Sequence, residues 1–239
     1  MIPEPSPDTE PEQEPDPDPD PEPAATPGPR PRKERTENAA RRRRQIIDAT
    51  LRSIEKNGLA GTTLATVSRE AGLSQGVAVF YFQNKQALLD AALRHLYAEY
   101  QATWQAALEA AGTDPVARLA ALVRVDFTGD ACSPRTLTLW HAFWGEASAR
   151  PLYAEIAAAY DAEHGSAMRA AVAALTDDAE ADRIADVLSA ASDGYWTGMH
   201  LSQGAYPASE VLASLARLLA AFFPERAGAL VRALTGDAP

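Results

Sequence analysis

Apolar residues recur at helical spacing along most of this chain, and the every-second-residue alternation of half-buried strands is nearly absent after Asn38. Ile46, Ile47, Thr50, Leu51 and Ile54 form one stripe at i, i+1, i+4, i+5 and i+8, and Asn57-Gly58 offers a left-handed stop. Thr63 stands where an N-cap belongs ahead of Leu64 and Val67, Gly72 supplies a tight turn, and Ser74 is placed to cap the short helix behind it. A long helix is predicted from about Asn84 to Ala111, followed by helices over roughly 114–129, 134–148, 151–174, 177–203 and 208–223. Pro115, Pro134, Pro151 and Pro207 fall near their first turns, where a missing N–H costs nothing. The predicted fold class is all-α: a three-helix helix-turn-helix domain over 38–85, then a larger helical domain over 86–239.

Charge changes this picture most in its distribution. Residues 1–29 hold nine acids and no Lys or Arg, 30–85 carry +7, and 86–239 carry −9, for a net −11. The overall sign disfavours nucleic acid, but phosphate attraction is local, screened over about 8–10 Å in physiological salt, so the basic middle block decides. Residues 1–37 read as a disordered, acidic, Pro-rich tail, either solubilising or competing with DNA for the basic block.

Two short helices joined at Ala71-Gly72-Leu73 leave the front of the second free to enter a major groove. Leu64, Val67, Ala71, Leu73 and Val77 are expected to pack inward. Gln75, at the front, can bond a base edge bidentately, with adenine its usual partner; Gly76 allows close backbone approach. Val77 or Val79 could meet a thymine methyl, while Thr63, Tyr81 and Lys85 suit phosphate contacts. Arg43 and Arg44 close a run of four arginines leading into the first helix, either a solvated face or a second set of phosphate or minor-groove contacts.

The segment RRRRQIIDATLRSIEKNGLAGTTLATVSREAGLSQGVAVFYFQNKQALLDAAL resembles the N-terminal domain of the TetR family of bacterial transcription regulators. The resemblance lies in the Arg-rich opening, Thr63 ahead of an apolar helix, Ala71-Gly72-Leu73-Ser74 at the turn, Gly76, Tyr81-Phe82, Lys85 and Leu88-Leu89. It implies a homodimer on a palindromic double-stranded DNA operator, with the C-terminal region sensing a small-molecule effector and forming the dimer. On the family pattern DNA contacts fall on Thr63, Gln75, Gly76, Val77, Phe80, Tyr81 and Lys85. Val79 and Phe80 stand where many members carry tyrosines, and tighter apolar packing is expected in place of phenolic phosphate contacts.

In the larger domain, Trp140, Phe143 and Trp144 share one helix face, and Asp193, Trp196 and His200 share another. Such stripes usually build core or interface. With an acidic rim they also suit a cation, each ring contributing about 0.5–2 kcal/mol. The segments LWHAFWGEA, PLYAEI and SDGYW resemble the branch of the family that contains the choline-sensing repressor of betaine synthesis, which implies an organic cation such as choline. Leu212, Leu215, Leu218, Leu219 and Phe222 form a stripe expected to meet its two-fold mate, with ordinary intrachain core as the alternative.

Other classes find little support. The four histidines lack metal spacing, no Gly-rich phosphate loop is present, and lone Cys132 has no evident base, so no enzyme, cofactor or metal is expected. No segment reads as a membrane span or secretory signal, and a cytoplasmic protein is expected. The alternative is a non-specific architectural DNA binder without ligand control.

Overall fold

The computed structural model describes residues 32–202 and 206–236. Residues 39–239 form one compact unit; of the other, residues 1–38, only the start of the first helix is described. In order the elements are α1 (Arg32–Gly61), α2 (Leu64–Ala71), α3 (Gln75–Phe82), α4 (Lys85–Ala110) and α5 (Pro115–Arg124). A 3₁₀ turn at Val125–Phe127 leads to α6 (Pro134–Glu146), α7 (Pro151–Ala173), α8 (Asp178–Leu201) and α9 (Ala208–Phe222); a second at Pro224–Arg226 precedes α10 (Ala227–Thr235). No strand occurs among the described residues. Helix α1 begins at Arg32, ahead of the boundary drawn at residue 38, and the rest of the acidic tail lies outside the described residues.

Local chemistry explains the helix ends. Gly58 breaks α1 with φ 66° and ψ 175°, a conformation open in practice to glycine alone. Thr63 opens α2 through a reciprocal pair: its hydroxyl accepts from Thr66 N–H at 3.1 Å, and Thr66 Oγ1 accepts from Thr63 N–H at 2.8 Å. Gly72 closes α2 in the left-handed region, and Leu73 N–H returns to Ser68 O at 2.9 Å. Ser74 holds the N-cap position of α3 but makes no side-chain cap, contrary to expectation. Asn84 caps α4 by accepting from Ala87 N–H at 2.8 Å.

Two apolar cores result. The smaller joins Ile46, Ile47 and Ala49 of α1 to Val67 and Ala71 of α2, Phe82 of α3, and Leu88 and Ala91 of α4. The larger takes Leu51, Ile54 and Leu59 from α1 and Leu89, Ala92, Leu93, Leu96 and Tyr97 from α4, then runs through α5 to α10. Helices α1 and α4 therefore serve both cores, and packing is continuous across residue 85. Polar ties reinforce the junction: Arg44, paired within α1 to Asp48 at 2.9 Å, reaches Glu99 of α4 at 2.7 Å, and Lys85 Nζ donates to Leu59 O at 2.7 Å and Ala60 O at 3.0 Å.

Within the single chain, three of the five residues of the α9 stripe serve the core. Leu212, Leu215 and Leu219 are buried within a single chain, and only Leu218 and Phe222 stay half-exposed. The cause is α10, absent from the sequence reading, which packs its buried Leu230 and Leu234 into the same core as α9. Among the described residues no helix is long and apolar enough to cross a membrane. Cys132 is half-buried, and burial pushes its thiol pKa up, which favours the unreactive thiol.

A Cβ built on Gly58 meets nothing within 4 Å, so any cost there is backbone strain alone. Gly58→Ala should lower stability by about 1–3 kcal/mol in urea unfolding. Gly145→Ala, in α6 with equally open space around it, should instead leave stability unchanged or raise it by about 0.5–1 kcal/mol.

Candidate DNA interface and ligand pocket

Helix α3 sets its buried side on Ala78 and Phe82, which leaves Gln75, Gly76, Val79 and Phe80 exposed on the other. Val77 and Tyr81 are half-buried between the two faces, so Val77 packs inward only in part. The packing expected at Val79 and Phe80 does not occur: Phe80 is 80% exposed and Val79 40%. Ala78 and Phe82 are the buried residues instead, and the Phe80 and Tyr81 rings meet in a T-shape with centroids 5.2 Å apart.

Around this face, Thr63 is exposed at the start of α2 with its hydroxyl already used as a cap, and Gln75 carries the free amide of the group. Arg43 lies over the Phe82 ring at 4.8 Å. Arg44 is committed to α4 through Glu99, and the Lys85 ammonium to the end of α1. These two cations join α1 to α4; the sequence marks them as basic but gives no sign of their partners.

The second site is a cavity of about 300 Å³ between α4, the Val125–Phe127 turn, α6, α7 and α8. Tyr97 and Tyr100 enter from α4, Trp140 and Trp144 from α6, and Trp196 from α8. Trp140 is the hub, with ring centroids 4.6 Å from Tyr97, 6.0 Å from Trp144 and 6.2 Å from Trp196. Three carboxylates face the same space: Asp126 from the turn, Asp161 from α7 and Asp193 from α8. Asp126 is buried; Asp161 and Asp193 are exposed and form the rim.

Asp126 is held twice. Tyr100 OH donates to its carboxylate at 2.7 Å, and Trp196 Nε1 donates to its backbone oxygen at 3.0 Å. Burial nevertheless pushes its carboxyl pKa up to about 7, and the Asp193 charge adds to the rise, against the lowering effect of the Tyr100 bond. Asp161 rises to about 6 through desolvation and then through Asp193, and desolvation also raises Asp193. His164, beside Tyr100 at 3.3 Å, is pushed down by burial and stays neutral near pH 7. The pocket therefore gathers three acidic groups, and no Lys or Arg side chain lines it. Among the described residues no group of three His, Cys, Asp or Glu side chains is placed to hold a metal ion, so the acids surround the space rather than converge on one point.

Of the residues singled out in the sequence, Trp140, Trp144, Asp193 and Trp196 line this cavity. Phe143 and His200 do not. Phe143 turns into the core against Tyr153, centroids 5.4 Å apart, because it sits a step around the helix from Trp140 and Trp144. His200 lies a turn beyond Trp196 and stacks on His141 at 4.2 Å. The sequence does not single out Tyr97, Tyr100, Asp126, Asp161 and His164: Tyr97 with Tyr100 and Asp161 with His164 are i, i+3 pairs on α4 and α7, but nothing local links those helices to each other or to the Val125–Phe127 turn.

Known proteins agree with both halves. Residues 46–92 match the family described as bacterial regulatory proteins, tetR family, and residues 115–224 match the BetI-type transcriptional repressor C-terminal family. The HTH-type transcriptional regulator BetI of Burkholderia thailandensis is 35% identical over 171 residues, 72% of this chain and 88% of that protein. A transcriptional regulator from Pseudomonas aeruginosa PAO1 shares the fold with a TM-score of 0.70 at 20% identity, over 80% of this chain and 94% of that one. A regulator from Saccharomonospora viridis, solved in complex with choline, does so with a TM-score of 0.63 at 19% identity, over 72% and 92%. The chain belongs to the TetR family of DNA-binding transcriptional regulators, and its C-terminal region is of the BetI type.

Proposed function

We propose that this protein is a homodimeric cytoplasmic repressor whose grip on a palindromic operator is weakened by a small organic cation, of the choline type, bound in the aromatic cavity. The observation that carries the proposal is the joint presence of five Tyr and Trp rings, Tyr97, Tyr100, Trp140, Trp144 and Trp196, and three carboxylates around one space of about 300 Å³. Ring faces attract a diffuse cation through their quadrupole, and the acids supply the countercharge that a methylated ammonium cannot find by hydrogen bonding. The Saccharomonospora viridis regulator holds choline on a related fold; in this chain the case rests on its own rings and acids.

In this reading residues 38–85 read DNA and 86–239 sense the effector. Gln75, Gly76, Val77, Phe80 and Tyr81 of α3 face the groove, while Thr63, Arg43 and the N-terminal turn of α4 at Lys85 meet phosphates. The dimer forms through the outward face of α8. Val187, Ala190, Gly194, Thr197 and Leu201 lie there at alternating spacings of three and four, all exposed in the single chain, with Leu201 75% exposed. Two-fold pairing then holds the α3 helices at about one turn of DNA, roughly 34–36 Å.

Coupling runs along α4 and the loop after α6. Trp144 lines the cavity near the end of α6, and Arg150, after the loop, donates to Gln86 on the first turn of α4 while stacking over Tyr153. A cation drawing Trp144 and Tyr97 together shifts the base on which α3 rests. A ligand can move this equilibrium only by its preference for one state, typically about 5–150-fold in affinity.

Choline should quench tryptophan fluorescence and release the operator, while its uncharged isostere with carbon in place of nitrogen should do neither. Equal action by the two compounds would defeat the cation reading. Asp126→Asn should weaken choline binding by about tenfold or more, the loss of one buried charge partner. It should also raise the melting temperature of the free protein at about pH 8. The sign follows from the raised carboxyl pKa: the native state favours the protonated form, so stability falls as pH rises from the unfolded value of 3.8 through about 7, and the amide removes that loss. Arg150→Ala should leave choline affinity within about threefold of the parent while shrinking the effect of choline on operator binding, read by fluorescence and gel shift together.

A further inference from the structure

The exposed face of α3 has an unusual make-up for a helix that meets DNA. It holds no charged side chain, and after Gln75 and Gly76 its outward positions are Val79 and Phe80. Phe80 is the most exposed of the large apolar residues among the described residues. Its ring is also steadied, edge-on to Tyr81 at an interplanar angle of 87°, and Tyr81 packs against the small core. An ordered phenyl ring in water gains nothing for the free protein, so its value lies in what it covers when bound.

A major groove offers donors, acceptors and one apolar group, the C5 methyl of thymine. Phosphate offers an apolar ring no favourable contact. Given that α3 enters the groove, which rests on the reading above, two neighbouring apolar side chains have one matching target there. We infer that Phe80, with Val79 beside it, selects operator half-sites by contact with thymine methyl groups, and that Gln75 one turn earlier takes an adenine close by. Positions 75 and 76 and positions 79 and 80 lie on the same strip of the helix, one turn apart, so the bases read are near neighbours. Each half-site then contains a short A·T-rich run, read through methyl groups at one end and an adenine edge at the other. Specificity toward A·T over G·C arises here without an arginine or lysine in the recognition helix.

The test starts from an operator selected from random DNA, in which each thymine of a half-site is replaced in turn by deoxyuridine. Removing a buried methyl group should cost about fourfold in affinity at one or two positions and nothing elsewhere. In the Phe80→Ala protein the same replacements at those positions should have no effect, and Phe80→Leu should restore part of it. Phe80 is exposed, so both variants keep the core, and circular dichroism confirms their fold. The inference is overturned if deoxyuridine is silent at every thymine. It is equally overturned if the replacement costs as much in Phe80→Ala as in the parent, or if Phe80→Ala weakens all DNA alike and so marks a backbone contact. Selection of no preferred site would overturn this inference and the repressor reading together, whereas a preferred site without methyl dependence would remove this inference alone.

Discussion

Helix α4 buries adjacent faces in two different cores, and this double commitment is the constraint on which the rest depends. Leu88 and Ala91 close the small core around α2 and α3, while Leu89, Ala92, Leu93, Leu96 and Tyr97 belong to the large one. A close-packed interior does not deform smoothly, so a helix shared in this way passes displacement on instead of absorbing it. Polar ties, Lys85 to the close of α1 and Arg44 to Glu99, link α1 to α4. Tyr97 and Tyr100 carry the same helix into the cavity wall, so the cavity and the support of α3 share one helix.

The cavity carries a matching electrostatic constraint. A buried carboxylate without a cation is costly, and Asp126 meets that cost by holding its proton up to about neutral pH. Asp193 makes the problem worse for Asp126 and for Asp161, because each negative charge raises the pKa of its neighbour. In the proposed function a monovalent organic cation relieves this repulsion when it binds. In that reading the acids supply the countercharge, and the rings favour a cation with a diffuse, apolar surface.

The helical order was legible because its signals are local. Thr63, Gly72 and Asn84 act through bonds to residues three or four positions away, and each sits where its spacing placed it. Half of the cavity was legible for the same reason, since Trp140 with Trp144 and Asp193 with Trp196 lie within single helices. The other half comes from α4, the Val125–Phe127 turn and α7, brought together by tertiary packing that no sequence window contains. Phe143 and His200 show the limit of face counting: a helical stripe is wide, and its edges turn toward other neighbours. Part of the α9 stripe is intrachain core because the short α10, behind a proline, covers it, and nothing local to α9 signals that cover. At Phe80 a burial argument failed where a binding argument applies, since Ala78 and Phe82 are the buried residues of α3.

If the cavity and the recognition helix are joined through α4, their ligands must oppose each other by equal amounts. The most direct test is calorimetric titration of choline into the free protein and into the protein saturated with its operator. The account predicts that operator lowers choline affinity by the same factor by which choline lowers operator affinity. Identical choline affinity in the two titrations would contradict it.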